Sequence, residues 1–128
     1  MTDSLVEPEP ARGNSVLSEV SNEIVRLYKE LFGRGPTRAR AAFAGPNTLV
    51  VTLEDTMTPA ERSLVEMGEH QRLRDVRLFF QHARADDFRE VVERLTGRRV
   101  RGFVSGIDTV VDISSEIFYL EQEQSEEG

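Results

Sequence analysis

The hydrophobic pattern of the chain is clearest between residues 14 and 32, where large aliphatic residues recur at alternating spacings of three and four. These residues are Leu17, Val20, Ile24, Leu27 and Leu31. That spacing places them on one face of an α-helix, with polar residues on the other. Asn14 or Ser15 can cap the first turn, and Gly33 suits the position just after the last. The pattern predicts an amphipathic helix over residues 14–32.

Two short stretches after this helix alternate with a period of two instead. In RARAAF, Arg38 and Arg40 alternate with small or apolar residues, and in TLVVTLE aliphatic residues occupy both sides of the chain. Gly45-Pro46-Asn47 between the two stretches is typical of a turn. A period of two places successive side chains on opposite faces of a strand. The pattern therefore predicts a β-hairpin.

The strongest helix start signal in the chain follows this hairpin. Thr58 is a good N-cap residue, Pro59 suits the first helical position, and Glu61 completes a capping box with Thr58. The helical pattern then continues as far as Thr96, which is longer than an ordinary globular helix.

The apolar positions of this long region do not stay in phase. Leu64 and Leu73 lie nine residues apart, about half a turn out of phase at roughly 100° per residue, with Gly68 between them. We expect a break or a sharp bend near Gly68, and the pattern leaves open whether residues 59–96 form one bent helix or two. After the break, the predicted buried positions are the apolar ones: Leu73, Val76, Phe80, Ala83, Phe88, Val91, Val92 and Leu95. Five arginines interleaved with acidic residues predict a solvated face instead: Arg72, Arg74, Arg77, Arg84 and Arg89.

Two final strands, in RRVRGFVS and SEIFYLE, complete the predicted order α-β-β-α(α)-β-β. Runs of strands interleaved with helices in this way predict a two-layer α+β domain, with helices on a four-stranded, mainly antiparallel sheet. The order of the strands in the sheet stays open. We assign residues 14–121 to this single domain. Residues 1–13 are expected to be a disordered acidic tail, and residues 122–128 a second acidic tail.

Composition and charge exclude several classes of protein. The net charge of −7 lies mostly outside the domain, because residues 1–13 carry −2 and residues 121–128 carry −4. The nearly neutral remainder offers no basic field for nucleic acid. The absence of cysteine excludes disulfides, thiolate zinc sites and cysteine nucleophiles. No apolar run is long enough to span a bilayer, and residues 1–13 do not resemble a secretory signal, so we expect a cytoplasmic protein that does not insert into a membrane.

The stretch FGRGPTRAR combines two glycines with three arginines and raises the question of a phosphate-binding loop. Such a loop leads from a strand into a helix N-terminus, where backbone amides point at the anion. This stretch leads from a helix into a strand, where the helix dipole has the wrong sign for phosphate. The favoured interpretation is a helix end followed by a strand. The alternative that stays open is a small-anion or ligand-binding site formed by Arg34, Arg38 and Arg40.

No other combination of residues predicts catalysis, a metal site or a cofactor. His70 and His82 are twelve residues apart, which does not match the spacing of a helical zinc site. Two acidic pairs lie near strand ends: Glu54–Asp55 and Asp108–Asp112. Adjacent strand residues point to opposite faces, so the first pair is not expected to converge on a cation. We therefore expect no catalytic residue and no enzymatic activity.

The last strand is apolar on both faces. Phe118 lies on one face, while Ile117 and Tyr119 lie on the other, and Val50 adds a second apolar group to that other face if its strand pairs alongside. Helices covering one face would leave the second one apolar and accessible. We expect a homodimer that buries Val50, Ile117 and Tyr119, unless a further helix covers this face.

Several segments together resemble the MpsC-like family, the C component of a Na+-translocating membrane-potential-generating system. They are Tyr28, GRGPT at 33–37, LEDTMTPAE at 53–61, Val76-Arg77, VERLTGRRV at 92–100 and EIFYLE at 116–121. The resemblance covers about residues 15–121. It implies a soluble, cytosolic, non-enzymatic domain that serves an ion- or bicarbonate-linked membrane system as an accessory or regulatory component. It supplies no catalytic residues, and a membrane transport-system protein is the partner that it implies.

Overall fold

The computed structural model describes residues 12–122, with side chains described from residue 15 onward. Most of the two predicted acidic tails lies outside these residues. The elements are α1 (Arg12–Phe32), β1 (Arg38–Phe43), β2 (Thr48–Glu54), α2 (Pro59–Glu66), α3 (His70–Ala83), α4 (Ala85–Thr96), β3 (Val100–Asp108) and β4 (Ile113–Leu120). This order and the antiparallel sheet confirm the predicted α+β fold.

The predicted helix boundaries are correct at some sites and wrong at others. Thr58 and Glu61 form the expected capping box, and Gly68 breaks the long helical region with a φ of 77°. The structure has a second break at Arg84, with φ −111° and ψ 17°, which the sequence pattern did not predict because no glycine or proline marks it. The first helix is already formed at Arg12, where the described residues begin, so Asn14 lies within the helix and not at its cap.

The sheet has the strand order β1-β2-β4-β3, and all neighbouring strands are antiparallel. Two hairpins therefore meet along the pairing of β2 with β4, which makes these two the central strands. In this pairing Leu49 lies opposite Phe118, and Val50 lies opposite Ile117. A register shift between Val100 and Gly102 interrupts the pairing of β3 with β4.

The core lies on one face of this sheet, beneath the helices. Helix α1 packs against α4 and β1, while α3 and α4 pack against β3. The side chains of Tyr28 and Phe88 are buried between helices and sheet. The rings of Phe88, Phe103 and Phe118 stack in series, with centroids 5.7 and 5.0 Å apart. Aromatic packing thus joins α4 to the two strands beneath it.

Helix α3 faces the core with a different side from the predicted one. Its buried residues are Leu73, Arg77 and Gln81. By contrast, more than a third of the Val76 and Phe80 side chains is exposed. The prediction that Arg77 belongs to a solvated face is therefore wrong. The helix is turned inward on its polar side because Arg77 and Gln81 find buried partners on other elements.

Candidate functional site

One face of the sheet carries alternate residues of all four strands and faces away from the core. The residues that share it include Arg38, Arg40, Ala42, Val50, Thr52, Glu54, Val104, Ile113, Ser115, Ile117 and Tyr119, as the strand register and burial pattern show. Core residues such as Leu49, Val51 and Phe118 point to the opposite, helix-covered side. We call this surface the open face.

The centre and one end of the open face are apolar. Val50 of β2 lies opposite Ile117 of β4, which lies opposite Val104 of β3, and Val104 is 50% exposed. The Tyr119 ring covers Gly102, where an added Cβ would lie 3.2 Å from Cδ2 of the tyrosine. The structure thus brings the three residues of the expected interface onto one surface and adds Val104, which the sequence analysis did not select.

The other end of the open face is polar. Arg38 lies opposite Glu54, and Arg40 lies opposite Thr52, on the edge strand and its neighbour. Both arginines are exposed and line a shallow depression together with Thr52 and Glu54. Two of the three candidate anion-binding residues therefore lie side by side.

Arg34 is engaged elsewhere. Its Nη1 donates to the Met57 carbonyl oxygen at 2.6 Å, and the guanidinium contacts both carboxylate oxygens of Asp55 at 3.3–3.4 Å. The hydrogen bond from Arg34 lowers the pKa of Asp55 below its ordinary value. Arg34 thus fastens the loop after β2, and its charge is directed at Asp55 rather than at the depression beside Arg38 and Arg40.

A second carboxylate, that of Asp112, fastens the same loop. Its Oδ1 accepts from the backbone N–H of Thr56 at 2.9 Å, and its Oδ2 accepts from that of Met57 at 3.1 Å. Asp108 accepts from the N–H of Val110 at 2.9 Å. The carboxylates of the predicted pair Asp108–Asp112 therefore accept hydrogen bonds from backbone amides. Within residues 12–122 no group of three or more His, Asp or Glu side chains is arranged to hold a metal ion.

A cluster of polar side chains lies buried beneath the helices. Arg77 is 0% exposed, and its Nε and Nη2 each donate to an oxygen of Glu61 at 2.8 Å. Nη2 also donates to the Thr56 carbonyl oxygen at 3.0 Å, and the guanidinium lies 4.0 Å from the centre of the Phe32 ring. One side chain of α3 therefore joins α1, α2 and the loop after β2.

Next to this ion pair lies Glu116 of β4, also 0% exposed. Its Oε2 accepts from the Tyr28 hydroxyl and from Nε2 of Gln81 at 2.9 Å. Burial, which disfavours the charged form, raises the pKa of Glu116 to about 7. Burial, and then the charge of Glu116, raise the pKa of Tyr28 well above its ordinary value. A carboxyl buried in this way holds its proton to higher pH than an exposed one does.

Three buried polar atoms of this cluster have no hydrogen-bond partner within the described part of the chain: Nη1 of Arg77, Oε1 of Gln81 and Oε1 of Glu116. The Ser105 hydroxyl faces Glu116 across the strand pair and lowers its pKa. It does not complete a hydrogen bond of normal geometry with Oε1. Native interiors rarely leave such atoms unpaired, so the described residues alone do not complete the hydrogen bonds of this cluster.

The sequence pattern indicates this cluster at one position only. In ISSEIFYL, Glu116 alternates in phase with Phe118 and Leu120, so a strand that buries the two apolar residues also buries the carboxyl.

The two histidines are less informative. His70 contacts the Thr109 hydroxyl at 2.6 Å, and His82 is exposed.

The fold and these surfaces define a two-layer α+β protein whose antiparallel sheet has an open face and whose core holds a polar cluster. The chain belongs to the family described as Na+-translocating membrane potential-generating system (MpsC), whose family model matches residues 13–122. This match confirms the resemblance inferred from the sequence segments. Searches of curated proteins and of solved structures gave no significant match. None of the helices in residues 12–122 has the length and apolar composition needed to cross a membrane.

Proposed function

We propose that this protein is a non-enzymatic accessory or regulatory component of a Na+-translocating membrane system, located in the cytoplasm and acting through protein–protein contacts. The family description supplies the link to such a system. The open face supplies the binding surface. Its apolar side chains are in contact with water in a monomer, and exposed apolar patches of this kind mark sites of protein–protein interaction.

The observation that carries the proposal is the row Val50–Ile117–Val104, with Tyr119 beside it, on the uncovered side of the sheet. A second copy of the chain is the partner that we propose for this face. Twofold pairing brings the same patch of each subunit together, so one apolar surface supplies both halves of the interface. Homodimers formed in this way have interfaces more apolar than the rest of the surface.

Helix α3 offers a separate surface for a transport-system protein. Phe79 is 68% exposed, and Val76, Leu78 and Phe80 beside it are each more than a third exposed. The helix lies on the covered side of the sheet, against β3, so a dimer formed through the open face leaves it accessible. Aromatic side chains of this kind are enriched at protein interfaces.

Light scattering at tens of micromolar tests the self-association. We expect the wild type to have twice the chain mass of 14.5 kDa and Tyr119→Asp to have the mass of a monomer, because a buried charge without a partner is costly. Phe79→Ser is the matched control, since it also changes an exposed aromatic residue, and it should leave the dimer intact. A monomeric wild type would refute the homodimer, and a dimeric Tyr119→Asp would refute the assigned interface.

Co-purification from the native host's membranes tests the link to a transport system. We expect the wild type and Tyr119→Asp to retain a component of a Na+-translocating system, and Phe79→Ser to lose it. Retention of no such component by the wild type would refute the accessory role.

The second candidate function is small-anion binding, favoured by the adjacent exposed guanidinium groups of Arg38 and Arg40 beside Thr52. Phosphate, sulfate, bicarbonate or a nucleotide that binds only the folded state would raise the melting temperature. A rise that Arg38→Ala with Arg40→Ala abolishes supports this function. No rise with any of these anions excludes it and favours the accessory role.

A further inference from the structure

Helix α3 is held to the sheet largely through polar groups. Of its buried residues, only Leu73 is apolar, while Arg77 and Gln81 bond to groups on other elements. Its most exposed large hydrophobic residue is Phe79, on the side away from the core. The attachment of this helix therefore depends on the charge state of the groups that Arg77 and Gln81 contact.

The charged groups around Glu116 do not balance its negative charge. Helix α1 contributes Tyr28, which is neutral, and α3 contributes Arg77, whose charge is already paired with Glu61 of α2. The neighbours of Glu116 on adjacent strands are uncharged, Val51 on β2 and Ser105 on β3. Helix α4 adds Phe88, which packs on Tyr28. The positive charge that acts on an ionised Glu116 is that of Arg77, which Glu61 already neutralises, so a buried carboxylate at this position is unfavourable.

A proton on Glu116 removes the buried charge, and one carboxyl oxygen is free to carry it. Oε2 of Glu116 already accepts from Tyr28 and Gln81, so the proton belongs on Oε1, which receives no donor. A protonated Oε1 becomes a donor, and the hydroxyl of Ser105, the residue opposite Glu116 on β3, has no other hydrogen-bond partner among the described residues. Burial outweighs the surrounding donors, which favour the charged form, and raises the pKa of Glu116 to about 7.

We propose that Glu116 is a proton-binding site that controls how firmly α3 is attached to the sheet. With its proton, the carboxyl carries no charge, so it is tolerated in the interior beneath α3 and the polar side of the helix stays turned inward. Without it, Glu116 competes with Glu61 for the single guanidinium of Arg77. The contacts of α3 with α2 and the sheet then weaken, and the helix opens more readily. This inference does not depend on the proposed partners.

Two measurements on the full chain test the proposal. The side-chain carboxyl of Glu116, observed by carbon NMR, should titrate near neutral pH. Amide hydrogen exchange of α3, corrected for the intrinsic effect of pH, should be up to about tenfold faster at pH 8 than at pH 6, because a carboxyl with a pKa of about 7 is mostly protonated at pH 6 and mostly ionised at pH 8. Glu116→Gln, which resembles the protonated side chain, should remove this difference, whereas Glu54→Gln on the open face should keep it.

The outcomes that would overturn the proposal are equally specific. They are a Glu116 carboxyl that titrates near pH 4.5, or α3 exchange whose pH dependence is the same in Glu116→Gln as in the wild type. Tyr28→Phe provides an independent test should Glu116→Gln fail to fold. Removing the hydroxyl donor that stabilises the carboxylate should move the midpoint of the α3 transition to higher pH, and an unchanged midpoint would also refute the proposal.

Discussion

Arg77 and Glu61 form a two-point ion pair in the interior, with both N–O distances at 2.8 Å. The same Glu61 carboxylate accepts from the Thr58 N–H at the start of α2. One carboxylate thus closes the capping box of α2 and fixes the only buried guanidinium of the described residues. The pair joins α2 to α3 across the break at Gly68.

We predict that Glu61→Gln lowers the free energy of unfolding by about 3–5 kcal/mol, because it leaves the Arg77 charge buried and unpaired. Urea denaturation measures this loss. Glu69→Gln is the matched control, since it removes an exposed partner of Arg72, and we expect a loss of at most about 1 kcal/mol. A similar loss in both variants would contradict the assignment of Arg77 to the core.

The inverted orientation of α3 predicts an unusual pattern of stability effects. Leu73→Ala should cost about 2–5 kcal/mol, because it empties a fully buried position. Phe79→Ser should change the free energy of unfolding by no more than about 0.5 kcal/mol, because the ring lies mostly in water. Denaturant titration of both variants distinguishes this orientation from one in which the apolar side of α3 faces the core. A large loss of stability for Phe79→Ser would show that the apolar side of α3 faces the core instead.

Asp112→Ala should destabilise the protein by about 3 kcal/mol. The substitution leaves the amides of Thr56 and Met57 without their acceptor. It also places alanine at a φ of 58°, which asparagine and aspartate tolerate better. Asp112→Asn keeps an acceptor and should lose less. Thermal unfolding measures the loss of stability in each variant. Equal losses would show that the Asp112 oxygens do not stabilise the protein by accepting the hydrogen bonds of Thr56 and Met57.

The pKa of Glu116 sets a definite sign for the pH dependence of stability. Its folded-state value of about 7 lies above its ordinary value of 4.5, so the folded state binds more protons between these values. The stabilisation is complete below pH 4.5 and is lost as the pH rises to about 7. Its size is about 3 kcal/mol, at 1.36 kcal/mol for each unit of pKa shift.

The difference in free energy of unfolding between Glu116→Gln and the wild type isolates this contribution, because the other carboxyl groups are common to both. From pH 4.5 to pH 8, that difference should shift in favour of Glu116→Gln by about 3 kcal/mol. A difference that stays constant over this range would rule out a raised pKa at Glu116.

The surface part of the candidate site was largely readable from the sequence, since strand alternation alone places Ile117 and Tyr119 on one face. The buried part was not. Tyr28 and Glu116 are 88 residues apart in the chain, and nothing local to either residue indicates that they meet. The interleaved charges around Arg77 resemble those of an exposed helix, so local pattern favoured the wrong side of α3.

The sequence by itself determined most of the helical and strand segments, because periodicity, the capping box at Thr58 and the glycine at position 68 act over a few residues. The break at Arg84 between α3 and α4 carries no such local signal. Only the tertiary structure decided the strand order β1-β2-β4-β3 and the side of α3 that faces inward. Both depend on contacts between distant segments. Arg77 and Gln81 can be buried only where Glu61, Tyr28 and Glu116 supply partners, and the folded chain alone brings those groups together.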